Sequence, residues 1–170
     1  MNRILNYLPI SCLLLVALIS SCKKVEIPTG DHTFSCYIDD ELFIADDNPR
    51  GGIFSPPPGL EVYRYDDFMV VVAREKHKDI LIYFMIVDYG EGTYTLSESD
   101  GNYEPIHPGL RNNNAIIAIG SRKYLSKNGS GTVTIIDTTG TELKGTFEFT
   151  LYNEKDDSDV IHVTDGRFDN

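Results

Sequence analysis

The stretch Leu143-Lys-Gly-Thr-Phe-Glu-Phe-Thr-Leu151 places Leu143, Gly145, Phe147, Phe149 and Leu151 at every second position, with Lys144, Thr146, Glu148 and Thr150 between them. Successive side chains of a strand point to opposite faces, so this alternation predicts a half-buried antiparallel strand. Upstream, Met69-Val-Val-Val-Ala73 and Ile80-Leu-Ile-Tyr-Phe-Met-Ile-Val87 are apolar at consecutive positions. That is the pattern of central strands covered on both faces, and it marks these two as the core. Elsewhere apolar residues recur at period two or in short runs dominated by β-branched and aromatic types, and no amphipathic helix is evident.

Further strands are expected at 33–38, 41–45, 60–65, 94–96, 115–119, 132–137 and 160–164. The first two form a hairpin through Asp39-Asp40, because Asp tolerates the left-handed backbone of a tight turn. Residues 46–59, rich in Pro and Gly, cannot sustain a ladder and read as a long loop. Loops are also expected at 97–113 and 121–131, and an acidic turn at 153–159. The sum is an all-β chain of about ten strands, spaced like an antiparallel β-sandwich or a barrel-like fold.

The chain has 170 residues, a formal net charge of −11, three Cys and no Trp. That length allows one domain with a genuine core. The acidic balance argues against a nucleic-acid backbone or an anionic lipid surface as partner, because both would repel it. Composition close to a globular average excludes collagen, coiled coil and a wholly disordered chain.

Residues 1–21 read as a signal peptide, with Arg3 as the basic start and a mostly apolar run from Leu8 to Ile19. A membrane span needs roughly 20 apolar residues, so this run is too short to be one. Ile19-Ser20-Ser21-Cys22 resembles the bacterial lipobox, an aliphatic residue and two small residues before the Cys that is lipidated. Cys22 is therefore the expected lipid anchor to the membrane; an ordinary secretory signal is the alternative. Acyl chains contribute roughly 0.8 kcal/mol per buried CH₂, so two or three hold a protein on a bilayer nearly permanently. Residues 22–31 form the tether, where Pro28 and Gly30 discourage regular structure, and 32–170 form a single β domain. Beyond Cys22 only Cys36 remains, which rules out an internal disulfide. Cys36 alternates with Phe34 and Ile38 and is expected to be an inert core thiol.

Three segments carry a resemblance: the opening Phe34-Ser-Cys-Tyr-Ile-Asp-Asp-Glu-Leu-Phe43, the central Gly90-Glu-Gly-Thr-Tyr-Thr-Leu96, and the ending Gly131-Thr-Val-Thr-Ile135, Leu143-Lys-Gly-Thr-Phe-Glu-Phe149 and Val163-Thr-Asp-Gly-Arg-Phe168. Together they resemble a group of uncharacterised Bacteroidetes lipoproteins. That group usually has a glycine in the first hairpin turn, where this chain has Asp39-Asp40. The resemblance implies an all-β, lipid-anchored cell-envelope domain and brings no catalytic residue with it. It points to the outer membrane and leaves the leaflet open, since Lys23 and Lys24 follow the anchor where surface-exported lipoproteins carry acidic residues.

Chemistry-bearing motifs are sparse. The sequence has no Gly-x-Ser-x-Gly, His-Glu-x-x-His, Cys-x-x-Cys or phosphate-loop pattern, and no catalytic residue, cofactor or metal site is expected. His32, His77, His107 and His162 are scattered, with His77 in a charged turn and His162 on a strand surface. The pairs Asp46-Asp47 and Asp66-Asp67 and the cluster Asp156, Asp157 and Asp159 read as turn chemistry, with a calcium site as the alternative. Ligand-binding candidates are aromatic: Phe54 in the Pro-rich loop, Tyr63 and Tyr65 on one strand face, and Tyr103 in the second loop. A tyrosine face stacks on sugar while its hydroxyl hydrogen-bonds; ordinary strand packing is the competing reading. The leading expectation is a non-enzymatic, lipid-anchored outer-membrane module that binds a glycan or an envelope protein. The alternatives are an acidic inhibitor or assembly partner of a basic envelope enzyme, and last a carboxylate-based hydrolase.

Overall fold

The computed structural model describes residues 32–46, 58–104, 111–139 and 142–170. Phe54 and Cys22 lie outside them. The described chain is all-β, with eleven strands and no helix. They are β1 (Thr33–Ile38), β2 (Glu41–Ile44), β3 (Leu60–Arg64), β4 (Phe68–Glu75), β5 (Ile80–Val87), β6 (Gly92–Thr95), β7 (Asn114–Ile119), β8 (Arg122–Leu125), β9 (Gly131–Asp137), β10 (Lys144–Asn153) and β11 (Asp156–Asp169).

All eleven join one curled antiparallel sheet, a half-barrel, in the order β2-β1-β11-β10-β8-β7-β5-β4-β3, with β9 paired to β10 and β6 to β9. β10 is the hinge between two arms. Its first part pairs with β9, and its last residues, Tyr152 and Asn153, pair with Leu125 and Tyr124 of β8. One arm is thus β6-β9-β10-β11-β1-β2 and the other β8-β7-β5-β4-β3. The first hairpin turns as its sequence requires, with Asp39 and Asp40 both at positive φ (46° and 68°).

The arms enclose the main core. Phe84 of β5 stands among Phe34, Phe147 and Phe168 of the opposite arm, with centroids 6.5, 5.5 and 5.5 Å away. Cys36 lies in this core at 1% exposure, and burial pushes its thiol pKa up to about 12, as an inert thiol requires. The alternation along β10 and β11 is kept through a bulge between Phe147 and Phe149. Gly145 and Gly166 sit there because a Cβ would collide with the rings of Phe168 and Phe147 respectively.

β4 and β5 are covered on both faces. Met69, Val71, Ala73, Ile82, Phe84 and Ile86 face the main core, while Phe68, Val70, Val72, Tyr83 and Met85 form a second buried cluster on the other side with Ile116. Residues 97–104 lie along the β8 edge of that outer face. There Ser99 N–H donates to Ser126 O at 3.0 Å and Lys123 Nζ donates to Gly101 O at 3.2 Å.

Two expectations are corrected. The segment 121–131 is not all loop, since Arg122–Leu125 is a strand returning beside β7 after the tight turn at Gly120 (φ 56°) and brings the described strands to eleven. The acidic run Asp156 to Asp159 is not a turn either. Glu154 and Lys155 turn the chain, and the acids open β11, whose end pairs Asp156 with Asn153.

Candidate functional site

Curling brings the edge of β2 to the β4–β5 turn. Asp46 N–H donates to Arg74 O at 2.9 Å, and Lys76 N–H donates to Asp46 Oδ2 at 3.0 Å. Lys78 Nζ donates to Leu42 O at 3.0 Å. This seam leaves a cleft of about 320 Å³ at one mouth of the curled sheet, bounded by the ends of β1, β2, β5, β7, β8 and β11. A barrel mouth is a recurrent place for a small ligand, and this volume is at the lower end of ligand pockets.

The cleft is divided by chemistry. Ile38, Phe43, Ile80, Ile119 and Ile161 give it an apolar floor continuous with the core. Asp39, Glu41, Lys78, Arg122 and Asp159 supply charge at its rim. Between them Tyr124, only 1% exposed, donates its hydroxyl to both oxygens of Asp159 at 3.3 and 3.1 Å. Asn153 Nδ2 donates to Asp159 Oδ2 at 2.7 Å. Arg122 leans over the Tyr124 ring at 5.8 Å, with its guanidinium 4.0 Å from Asp159.

Burial first, then the hydrogen bond to Asp159, raises the pKa of Tyr124, so the phenol stays protonated and donating. Hydrogen bonding to Glu41, with Glu75 adding its charge, raises that of Lys78. Lys78 therefore stays a cation and Tyr124 a neutral donor at the rim.

A second, shallower groove of about 340 Å³ runs over the solvent face of β9, β10 and β11, lined by Thr132, Thr134, Thr146, Glu148, Asp165 and Arg167. It offers mainly hydroxyls and charges, with Phe147 and Gly166 also in its lining.

The aromatic candidates are not brought to one platform. Tyr63 and Tyr65 pack against the outer cluster at the β3 edge, and Tyr65 stacks on Phe68 with centroids 4.3 Å apart. Tyr103, 38% exposed, lies beside β8 with Lys123 Nζ 5.5 Å from its ring. β4, β5 and β7 separate the two positions. Tyr94 packs on the main core, where its hydroxyl accepts from Gly90 N–H at 2.7 Å and donates to Gly90 O at 3.0 Å. His77 and His162 are exposed, the first in the β4–β5 turn and the second on β11. Among the described residues, no three His, Cys, Asp or Glu side chains are grouped to hold a metal ion.

The strands that carry Ile38, Phe43, Ile80, Ile119 and Ile161 are legible in the sequence, but their convergence at one mouth is not. Arg122 and Tyr124 lie in a segment whose sequence reads as loop and Asp159 in one that reads as a turn, while Asp39 sits in the β1–β2 turn as expected. The alternation of Tyr124 with Arg122 was the one local signal available. No family model matches the chain, and neither curated proteins nor solved structures give a match.

Proposed function

We propose that the chain is a lipoprotein anchored to the outer membrane through Cys22, and that its β domain is a non-enzymatic binding module with its ligand site at the mouth of the curled sheet. The lipobox-like Ile19-Ser20-Ser21-Cys22 and the resemblance to Bacteroidetes envelope lipoproteins support the address. The observation that carries the binding reading is the mouth cleft, because an apolar floor beneath a few convergent polar groups is the common form of a small-ligand site.

The test is a thermal-shift screen of the full chain against sugars, small amphiphiles and basic cell-wall hydrolases, run beside Ile119→Trp, which fills the cleft. A ligand present at 100 times its Kd stabilises by about 2.7 kcal/mol. A shift in the parent that disappears in Ile119→Trp supports the reading. A shift unchanged in the variant moves the ligand elsewhere, and an enzyme turnover assay that scores a screened compound as substrate overturns the non-enzymatic assignment. For the anchor, Cys22→Ala is expected to abolish acyl labelling and leave precursor unprocessed.

A further inference from the structure

The mouth cleft already contains a worked example of what it holds. Lys78 is an ammonium on an alkyl stem, and its Nζ is 3.0 Å from Leu42 O, 3.1 Å from Glu41 and 3.6 Å from Glu75. These groups belong to β2 and β4, so one alkylammonium bridges the two sides of the seam. Glu75 follows the inward alternation of Met69, Val71 and Ala73. Among the described residues its buried Oε2 accepts no hydrogen bond, Lys78 lying 3.6 Å away. Such an oxygen is short of a donor.

The charges at the mouth are unequal. Asp39, Glu41 and Asp159 line the cleft and Glu75 stands behind Lys78, against only Lys78 and Arg122 as cations. Arg122 is turned toward Asp159, and Glu41 remains 73% exposed. The excess lies in the field of a chain whose net charge is −11, which attracts cations and repels anions. Beside it runs the apolar floor of Ile80, Ile119 and Ile161.

Resting on the binding-module reading, we infer that the mouth cleft recognises an amphipathic cation, a short aliphatic or aromatic group bearing one ammonium or guanidinium. The apolar part lies on the isoleucine floor and the cationic head meets Glu41 and Asp39. The volume corresponds to about ten water molecules at their liquid density. It therefore takes one side chain or one small amine, not a long oligomer. A free amine and the Lys or Arg side chain of a basic peptide share this chemistry.

The experiment is ligand-observed NMR on the full chain in neutral detergent, with hexylamine, hexanol and hexanoate as probes of equal length. Hexylamine is expected to bind at least tenfold more tightly than the other two. Asp39→Asn/Glu41→Gln is expected to lose at least fivefold, and Asn retains both the turn conformation and the acceptor that Asp39 offers His162 N–H. Asp66→Asn/Glu91→Gln makes the same charge change away from the cleft and is expected to leave affinity unchanged. Ile119→Trp is expected to abolish binding.

N-acetyl-Leu-Lys-Leu-amide competing more tightly than hexylamine assigns a protein side chain as the natural source, and the reverse order assigns a free amine. Hexanol or hexanoate binding as well as hexylamine overturns the inference, as does an equal loss in the control pair. If a sugar binds, is lost in Ile119→Trp, and hexylamine does not compete, the binding module stands and the cation does not. If nothing binds the parent chain, both fall.

Discussion

The β4–β5 and β10–β11 hairpins are both long antiparallel pairs in one sheet, yet they meet solvent differently. From Phe68 to Ala73 and from Ile82 to Ile86 every residue is buried. Along Lys144–Asn153 and from Ile161 to Phe168 of β11, burial is confined to the core-facing positions. The difference lies in what covers the second face. On β5 and β7 it is apolar and sealed, whereas on β9 to β11 it is threonine and charge, open to water. Substitution costs should therefore depend on face and cover rather than on strand membership alone.

The largest expected effect is at the centre both hairpins share. Phe84→Ala removes the ring that packs on Phe34, Phe147 and Phe168. It should cost about 3–5 kcal/mol in chemical denaturation, a fall in Tm of roughly 10 °C. Glu148→Ala, on the open face of β10, should stay within about 0.5 kcal/mol. Equal losses would break the comparison.

A second substitution sharpens it within one strand. Gly145→Ala drives a methyl into the Phe168 ring and the Thr134 carbonyl and should cost about 1–3 kcal/mol. Thr146→Ala, one residue on and facing water, should cost well under 1 kcal/mol in the same denaturation experiment. Smaller than the Gly145 effect is that of Tyr124→Phe, which removes the donor to Asp159 and leaves that carboxylate to Asn153 and Arg122. A loss of about 1 kcal/mol is expected, read as a shift in denaturation midpoint with an unchanged slope.

The sequence made one half of this contrast legible and obscured part of the other. Alternation announced β10, and the consecutive apolar residues of β4 and β5 announced two buried faces, because period and burial are properties of the residues themselves. β8 was hidden because Arg122-Lys-Tyr-Leu125 is short and charged, and it becomes a strand through pairing with β7 across Gly120. The start of β11 was hidden for a related reason. Asp156, Asp157 and Asp159 favour turns locally, and Ser158 N–H does donate to Asp156 Oδ1, but Asp156 also pairs with Asn153, and residues 157–159 form an irregularity before Val160 pairs with Tyr152. The mouth was the least legible feature. Its groups come from six strand ends separated by up to 123 positions, between Ile38 and Ile161, and only the curl of the sheet brings them together.

The smallest expected effect asks what kind of cover seals β5. Tyr83 is fully buried in the outer cluster, and its hydroxyl has no hydrogen-bond partner among the described residues. Burial, with Asp100 and Tyr65 adding to it, raises its pKa strongly. A buried hydroxyl without a partner has lost its hydration and gained nothing in return, so deleting it removes a penalty. Tyr83→Phe keeps the ring against Val72, Met85 and Ile116 and should therefore leave stability unchanged or raise it by up to about 1 kcal/mol. The opposite sign is expected for Tyr124→Phe, where the same atom has two acceptors. If Tyr83→Phe destabilises by 1 kcal/mol or more, the hydroxyl is paired in solution and the cover over β5 is wet. If it stabilises, that face is as dry as the core, and the two tyrosines differ only in whether the fold gives their oxygens a partner.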